Sequence, residues 1–110
     1  MNEQRREPRV RVDWPVLASG FSGRGEGRVV DISLCGILFE ADVELAERDF
    51  VLLRISVDAH TIVECVAQVV RAGAHGGSRA YGADIRYISA LDRQRLSFAL
   101  LLLQEPAHAH

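Results

Sequence analysis

Apolar and polar residues alternate along several short stretches of this chain, which is typical of β-strands that bury one face. Six stretches are predicted to be strands: residues 12–18, 28–32, 37–40, 50–57, 61–71 and 80–87. Two glycine-rich segments between them, 19–27 and 72–78, are predicted to be loops. Six strands with short connections predict a mainly β fold. We expect a closed or nearly closed six-stranded antiparallel β-barrel, because closure leaves no strand edge exposed.

Alternate residues of the four clearest strands are predicted to face the barrel interior. This inward set is Val12, Trp14, Val16 and Ala18; Val51, Leu53, Ile55 and Val57; Val63, Cys65, Ala67 and Val69; and Tyr81, Ala83, Ile85 and Tyr87. The two cysteines, Cys35 and Cys65, do not form a disulfide framework. Both lie in apolar contexts and are predicted to be small core residues.

The alternation of apolar and polar residues stops near the end of the chain, which is predicted to be a C-terminal α-helix. Ser89 lies at a capping position, and Asp92, three residues later, is placed for a capping box. Residues 98–103 are apolar on every side of the helix, and Pro106 is expected to end it. A surface helix buries only one stripe, so at least one leucine of 100–103 should face outward. We expect the helix to join two copies of this chain as a homodimer or to dock a partner protein.

A polar segment interrupts the apolar pattern between the second and third strands, with the sequence Asp31-Ile32-Ser33-Leu34-Cys35-Gly36. Asp and Ser side chains can bond backbone groups two residues on, and glycine allows positive φ. Taken alone, the segment is typical of a corner between two strands.

Strand pairing also predicts which residues lie near this corner. If the first hairpin centres near Phe21 or Ser22, antiparallel pairing places Asp31 roughly opposite Val12. Asp31 then returns to the rim of the sheet where the arginines at positions 9 and 11 enter. The sequence therefore predicts that acidic and basic side chains meet at one rim.

Composition narrows the classes of function. The chain has 110 residues, 48% of them hydrophobic, and a formal charge of −2, which together fit one globular domain and disfavour sequence-blind nucleic-acid binding. Aromatic residues make up only 6%, so stacking platforms for a single strand are few. All 13 cations are arginine, which bonds phosphate with two prongs. No nucleic-acid partner is expected.

The distribution of polar residues leads to further expectations. The charged segment 1–11 is expected to be a flexible arm, 12–104 the barrel with its helix, and 105–110 a tail. No signal peptide or spanning helix is recognisable, so a cytoplasmic protein without membrane insertion is expected. The four histidines show no ligand spacing, and neither a metal site nor a cofactor is expected.

Two short motifs together carry a family resemblance. Residues 5–9 read Arg-Arg-Glu-Pro-Arg, and after the first hairpin comes Asp-x-Ser-x-x-Gly at 31–36. In this order they resemble the PilZ family, and the segments 81–87 and 90–96 are similar to the close of a PilZ domain. The resemblance runs from position 5 to about position 103. It implies that the chain binds the bacterial messenger cyclic di-GMP through Arg5, Arg9, Asp31, Ser33 and Gly36. Cys35 departs from the family, since many relatives have a second glycine there.

These residue types suit a ligand with two phosphates and two guanines. Arginine forks bond phosphate oxygens and match the Hoogsteen edge of guanine. Asp31 can accept from guanine N1 and N2, and Ser33 can donate to a base or a phosphate. Gly36 permits close approach of the ligand. The resemblance also implies that the arginine arm closes over the ligand.

The leading hypothesis is a non-enzymatic receptor, because the sequence has no nucleophile and base at the spacing of a catalytic motif. It would bind cyclic di-GMP, change conformation and regulate a downstream protein partner. The alternative is a PilZ-like protein-interaction module that does not bind nucleotide. A small barrel that binds single-stranded nucleic acid is a third class. The sequence leaves open whether one or two ligand molecules bind.

Overall fold

A computed structural model describes residues 9–104, which form six strands and one helix. The elements are β1 (Val10–Gly20), β2 (Gly23–Ile32), β3 (Gly36–Ala41), β4 (Phe50–Asp58), β5 (Thr61–His75), β6 (Ser78–Ile88) and α1 (Ala90–Gln104). Neighbouring strands are antiparallel and close into a barrel in the order β1-β2-β3-β6-β5-β4. The predicted barrel with a C-terminal helix is confirmed. Of the predicted arm and tail, only residues 9–11 lie in the described part, and β1 already includes Val10 and Arg11.

The two predicted glycine-rich loops are wrong in extent, because most of their residues belong to strands. β1 and β2 are joined only by residues 21 and 22, and β5 and β6 only by Gly76 and Gly77. Both of these glycines have positive φ, 60° and 88°, as a tight two-residue hairpin turn requires. Gly27 has another role, since a Cβ there would overlap the Glu40 carbonyl of β3. Glycine here allows close strand packing instead of marking a loop.

The barrel interior is filled by the alternate apolar residues that the pattern predicted. Val12, Trp14, Val57 and Ile85 are partly buried at its ends. Inward residues that are buried in β1, β4, β5 and β6 are Val16, Ala18, Val51, Leu53, Ile55, Val63, Cys65, Ala67, Val69, Tyr81 and Ala83.

The predicted inward position of Tyr87 is wrong, since this side chain is 65% exposed. A β-bulge causes the difference. Val66 pairs with Tyr87 but the next residue, Ala67, pairs with Ile85, so β6 carries one extra residue between them. The bulge moves the inward position to Ile88, which packs against the core opposite Cys65.

The two cysteines differ in environment, and the prediction holds for only one of them. Cys65 is buried in the core, and desolvation, with a smaller contribution from the Asp92 charge, raises the pKa of its thiol to about 12. Cys35 is exposed. It lies on the corner after β2, where the chain has left the sheet and alternation no longer applies.

The helix begins as predicted, although the capping box is incomplete. Ser89 Oγ accepts a hydrogen bond from the Asp92 amide at 3.1 Å. The Asp92 carboxylate instead accepts from the Glu64 amide of β5 at 3.3 Å and from Arg95 at 3.0 Å. It therefore attaches the start of the helix to the barrel. The predicted end at Pro106 lies outside the described residues.

One stripe of the helix packs on the barrel and the opposite side does not. Leu96 and Leu100 are buried, whereas Leu101, Leu102 and Leu103 are each more than half exposed, which confirms the predicted outward leucines. Within residues 9–104, no helix combines the length and apolar character needed to cross a membrane.

The Tyr81 phenol helps to fix the connection between β3 and β4 to the barrel. The Tyr81 hydroxyl donates to the Val43 carbonyl at 2.7 Å and accepts from the Leu45 amide at 3.1 Å. Val43 and Leu45 are both buried, so neither backbone group has ready access to water. The phenol therefore satisfies two groups that burial would otherwise leave unpaired.

We predict that Tyr81→Phe destabilises the protein by about 1–3 kcal/mol, because two buried backbone groups lose their partner. Urea unfolding followed by circular dichroism measures the change. Tyr87→Phe is the matched control, since that tyrosine is exposed and should be silent. Equal effects of the two changes would contradict the role given to Tyr81.

We predict that an alkylating reagent at pH 8 modifies the exposed Cys35 rapidly and Cys65 only after unfolding. Burial blocks access to Cys65, and a thiol pKa of about 12 leaves almost no thiolate. Mass spectrometry of native and urea-treated protein counts the adducts. Comparable modification of both cysteines in the native protein would contradict the buried position of Cys65.

Candidate functional site

The two polar motifs meet at the end of the barrel where β1 begins and β2 finishes. Nη1 of Arg9, just before β1, donates to Oδ1 of Asp31 near the end of β2 at 2.6 Å. Their side chains are 39% and 22% exposed, so the pair lies at the surface. The rim that strand pairing predicted is the place where these two side chains come together.

The predicted register is off by one residue because of a bulge. Asp31 pairs with Arg11, not with Val12, since Trp14 pairs with Val29 and β1 carries an extra residue in between. Residues directly opposite each other on antiparallel strands share a face of the sheet. Arg11 therefore lies on the same outer face as Asp31.

A second irregularity at Val30 turns Asp31 outward. On the β3 side, Val29 pairs with Phe39 and Asp31 with Leu38, so Val30 is the extra residue. Val29 is buried in the core, and strict alternation would direct Asp31 inward as well. The bulge places the carboxylate on the outer face instead.

Ser33 holds the corner that follows. Its hydroxyl accepts hydrogen bonds from the amides of Cys35 and Gly36, both at 3.1 Å. Its own amide donates to the Gly36 carbonyl at 2.9 Å. Ser33 is only 5% exposed. These contacts give Ser33 a structural role, and its predicted donation to a ligand stays a prediction.

Gly36 leaves room for the arginine. Positive φ, which the turn chemistry allowed, is found in the described residues only at Arg48, Gly76 and Gly77, not at Gly36. A Cβ at position 36 would lie 3.6 Å from Nη2 of Arg9 and 3.5 Å from the Ala83 carbonyl oxygen. A side chain longer than a methyl would therefore displace the Arg9 guanidinium. Arg5, the other arginine of the motif, lies outside the described residues.

Sequence reasoning missed several residues beside the motif. A shallow groove of about 220 Å³ continues from Val30 across the outer face of β3, β6 and β5, where Leu38, Gly82 and Arg71 contribute to its lining. Among the contacts of residues 9–104, Arg11 and Arg71 make no side-chain hydrogen bond or ion pair. Of these two arginines, strand pairing had already placed Arg11 at the rim, whereas Arg71 was missed. The bulges that set the other positions leave no pattern in the sequence.

A larger groove of about 550 Å³ lies toward the β5–β6 hairpin and is less suited to an anion. It is lined by three carboxylates, from Glu26, Glu40 and Asp42, and by two arginines. One of these, Arg79, lies 3.5 Å from Asp42 and is partly neutralised by it. At the rim, Arg9 and Arg11 lie beside Asp31, and Arg11 has no charged partner among the described residues, so this is the better site for a phosphate-bearing ligand.

Solved structures share this fold. The inhibitor of motility MotI/DgrA of Bacillus subtilis is 20% identical, with a TM-score of 0.75, over 90% of this chain and 50% of that one. The PilZ domain of Escherichia coli YcgR, solved with cyclic di-GMP, is 15% identical, with a TM-score of 0.73, over 92% of both chains. At this identity the likeness establishes the fold alone. By these coverages, this chain spans about half the length of MotI/DgrA but nearly all of the YcgR domain.

A less similar match is a pathogenic protein of Xanthomonas campestris, described as a tetrameric PilZ domain self-assembled through a helical bundle. It is 14% identical, with a TM-score of 0.58, over 71% of this chain and 44% of that one. A search of curated proteins returned no significant match.

The family comparison covers the barrel, the corner and most of the helix. The profile of the PilZ domain matches residues 3–101, which is most of the 110-residue chain and includes both motifs. The match agrees with the closed six-stranded barrel and its C-terminal helix. The chain belongs to the PilZ domain family.

Proposed function

We propose that this protein is a receptor for cyclic di-GMP, bound at the rim where Arg9 meets Asp31. The observation that supports it most is the 2.6 Å contact between these residues on the outer face of a PilZ barrel. One residue of each motif, Arg9 and Asp31, which are 22 positions apart in sequence, thus meet at the same surface. The YcgR domain with the same fold was solved with cyclic di-GMP, which supports the same ligand here.

Ligand binding in this proposal adds contacts to two residues that already bind each other. Asp31 engages Arg9 in the described structure. A guanidinium has five N–H donors, so Arg9 can bond a phosphate with those that Asp31 does not use. The Asp31 carboxylate can then accept from N1 and N2 of guanine. Arg11, opposite Asp31, adds positive charge beside the phosphates.

The remaining motif residues support these contacts. Ser33 fixes the corner through its two amide contacts, and Gly36 leaves space beside the Arg9 guanidinium. Arg5 is proposed to bond the ligand from the preceding segment. The titration below measures the stoichiometry, that is, whether one or two ligand molecules bind.

The proposed output is regulation and not catalysis. Binding would reorder the contacts of Arg9 and thereby change the surface offered to a downstream protein. Since the ligand is a bacterial second messenger, we place the protein in the cytoplasm. The alternative, a PilZ interaction module without nucleotide binding, predicts no heat of binding with cyclic di-GMP.

We predict specific binding of cyclic di-GMP in calorimetric titration. Arg9→Ala should weaken binding by about 1.5–3 kcal/mol, because a charge-assisted contact is lost. Asp31→Asn should also weaken it, since an amide replaces a charged acceptor. Both variants should keep near-normal stability, because exposed ion pairs contribute little. Arg24→Ala, an exposed arginine of β2 far from the rim, is the control and should bind normally.

Cyclic di-AMP and GTP are the comparison ligands for this titration. Equal affinity for cyclic di-AMP would remove the guanine-reading role of Asp31. Absence of binding by the unmodified protein would overturn the receptor proposal and favour the interaction module.

We further propose that α1 joins two copies of this chain. Leu91, Phe98 and Leu102 are each more than half exposed and follow each other at spacings of seven and four residues. At 3.6 residues per turn they form one stripe, opposite the buried Leu96 and Leu100. Spacings of seven and four are those of helix–helix seams. The Xanthomonas relative assembles through a helical bundle, which supports self-association through a helix here.

We predict a concentration-dependent dimer at micromolar concentrations by sedimentation velocity. Leu102→Glu or Phe98→Glu should shift the protein to monomer, because a charge enters the apolar seam. Ile62→Glu, at an exposed apolar position of β5, is the matched control and should not. A protein that is monomeric at every concentration would remove the case for self-association.

A further inference from the structure

One arginine on the outer face is held against the sheet without a charged partner. A Cβ built on Gly82 would lie 3.4 Å from Nη2 of Arg71 and 3.7 Å from its Cζ. Gly82 lies on the outer face, since its neighbours Tyr81 and Ala83 are core residues, yet it is buried. The Arg71 side chain therefore covers Gly82.

A bulge directs Arg71 to this position. Val69 pairs with Ala83 inside the barrel, and Arg71 pairs with Gly82, so Val70 is an extra residue of β5. With strict alternation, Arg71 would share the inward face of Val69. The extra residue turns the guanidinium onto the outer face, as the bulge at Val30 does for Asp31.

Strand register connects Arg71 to the rim. Asp31 pairs with Leu38, Leu38 with Gly82, and Gly82 with Arg71. These four residues form one row across β2, β3, β6 and β5. Three strand spacings separate its ends, which is about 14 Å at 4.7–4.9 Å each. The row links the Arg9–Asp31 contact at one end with a second guanidinium at the other.

The middle of the row is a shallow apolar floor. The groove of about 220 Å³ is lined there by Val30, Leu38, Ala80 and Gly82, and Arg71 and Glu40 also contribute to its lining. Its mainly apolar surface suits the face of a flat ring. Within the described part of the chain, the Arg71 side chain makes no hydrogen bond or ion pair, so its guanidinium is available to a ligand. Protein recognition of nucleotides uses guanidinium planes as stacking surfaces for bases.

We propose that the face of the Arg71 guanidinium, which lies over Gly82, stacks on one guanine of the bound dinucleotide and holds that base beside Leu38. The inference rests on the proposed function, because the Arg9–Asp31 end takes the rest of the same ligand. Gly82 is a positioning residue, since a side chain longer than a methyl group would lift the guanidinium from the sheet. The plane of Arg71, and not only its charge, supplies the contact.

The test separates stacking from simple attraction by charge. Cyclic di-GMP is titrated into the full chain and into Arg71→Ala, Arg71→Lys and Arg71→Tyr. Loss of a base-stacking contact should raise the Kd of the alanine variant by about five- to a hundredfold. Lysine keeps the charge but loses the plane, and should bind as weakly as alanine. Tyrosine keeps a plane without charge, and should bind within about threefold of the unmodified protein.

Two further variants control for position and folding. Arg79→Ala removes an arginine that lines the other groove, and should leave the affinity unchanged. Gly82→Val should weaken binding by displacing the guanidinium. The Arg71 variants change an exposed residue and should unfold in urea at the same midpoint as the unmodified protein, so the result does not depend on whether Gly82→Val folds.

The outcomes are distinct. Unchanged affinity of Arg71→Ala, or a lysine variant that binds normally while the tyrosine variant does not, overturns stacking. Failure of the proposed function appears differently, as absence of binding by the unmodified protein, and overturns the Arg71 proposal with it. Weak binding by alanine and lysine together with near-normal binding by tyrosine supports it.

Discussion

Closure of the barrel is the constraint on which the rest of this structure depends. Every strand is paired on both sides, so the sheet has no open edge in the described residues. The interior is filled by side chains such as Phe39, Leu53 and Ile55, which are fully buried. A barrel of this kind has no internal space for a dinucleotide. Ligand recognition is therefore confined to its outer face and rim.

The Arg9–Asp31 contact sets how a ligand can enter that rim. Two opposite charges already meet there at 2.6 Å, and the guanidinium rests beside Gly36. Holding Arg9 in place lowers the entropy that a ligand must remove when it binds. The same contact also competes with the ligand, because Asp31 must share its acceptors. The measured affinity will reflect the difference between these two effects.

Most of the fold follows from alternation, and the departures from prediction have specific causes. Strand number, the inward residues of β4 and β5, and the start of the helix at Ser89 could be predicted because apolar period and capping chemistry are local properties. The lengths of the hairpins could not, since Gly27 serves strand packing. Tyr87 was assigned to the wrong face because a bulge is created by pairing between strands, which no single strand encodes. The groove beside Arg71 was missed for the same reason.

The bulge at Val30 has a consequence for how this site tolerates genetic change. Any residue can occupy position 30 without altering the count between Val29 and Asp31. Loss of one codon there would remove the bulge and bring Asp31 directly after Val29, where alternation alone keeps the carboxylate on the outer face. On the β1 side, however, Val12 and Asp13 would then have no residue of β2 to face between Val29 and Asp31, so Arg11 could not stay opposite Asp31 without a larger distortion. The spacing of β2 thus sets which residue of β1 lies opposite Asp31, and the site withstands point substitution at this position but not deletion.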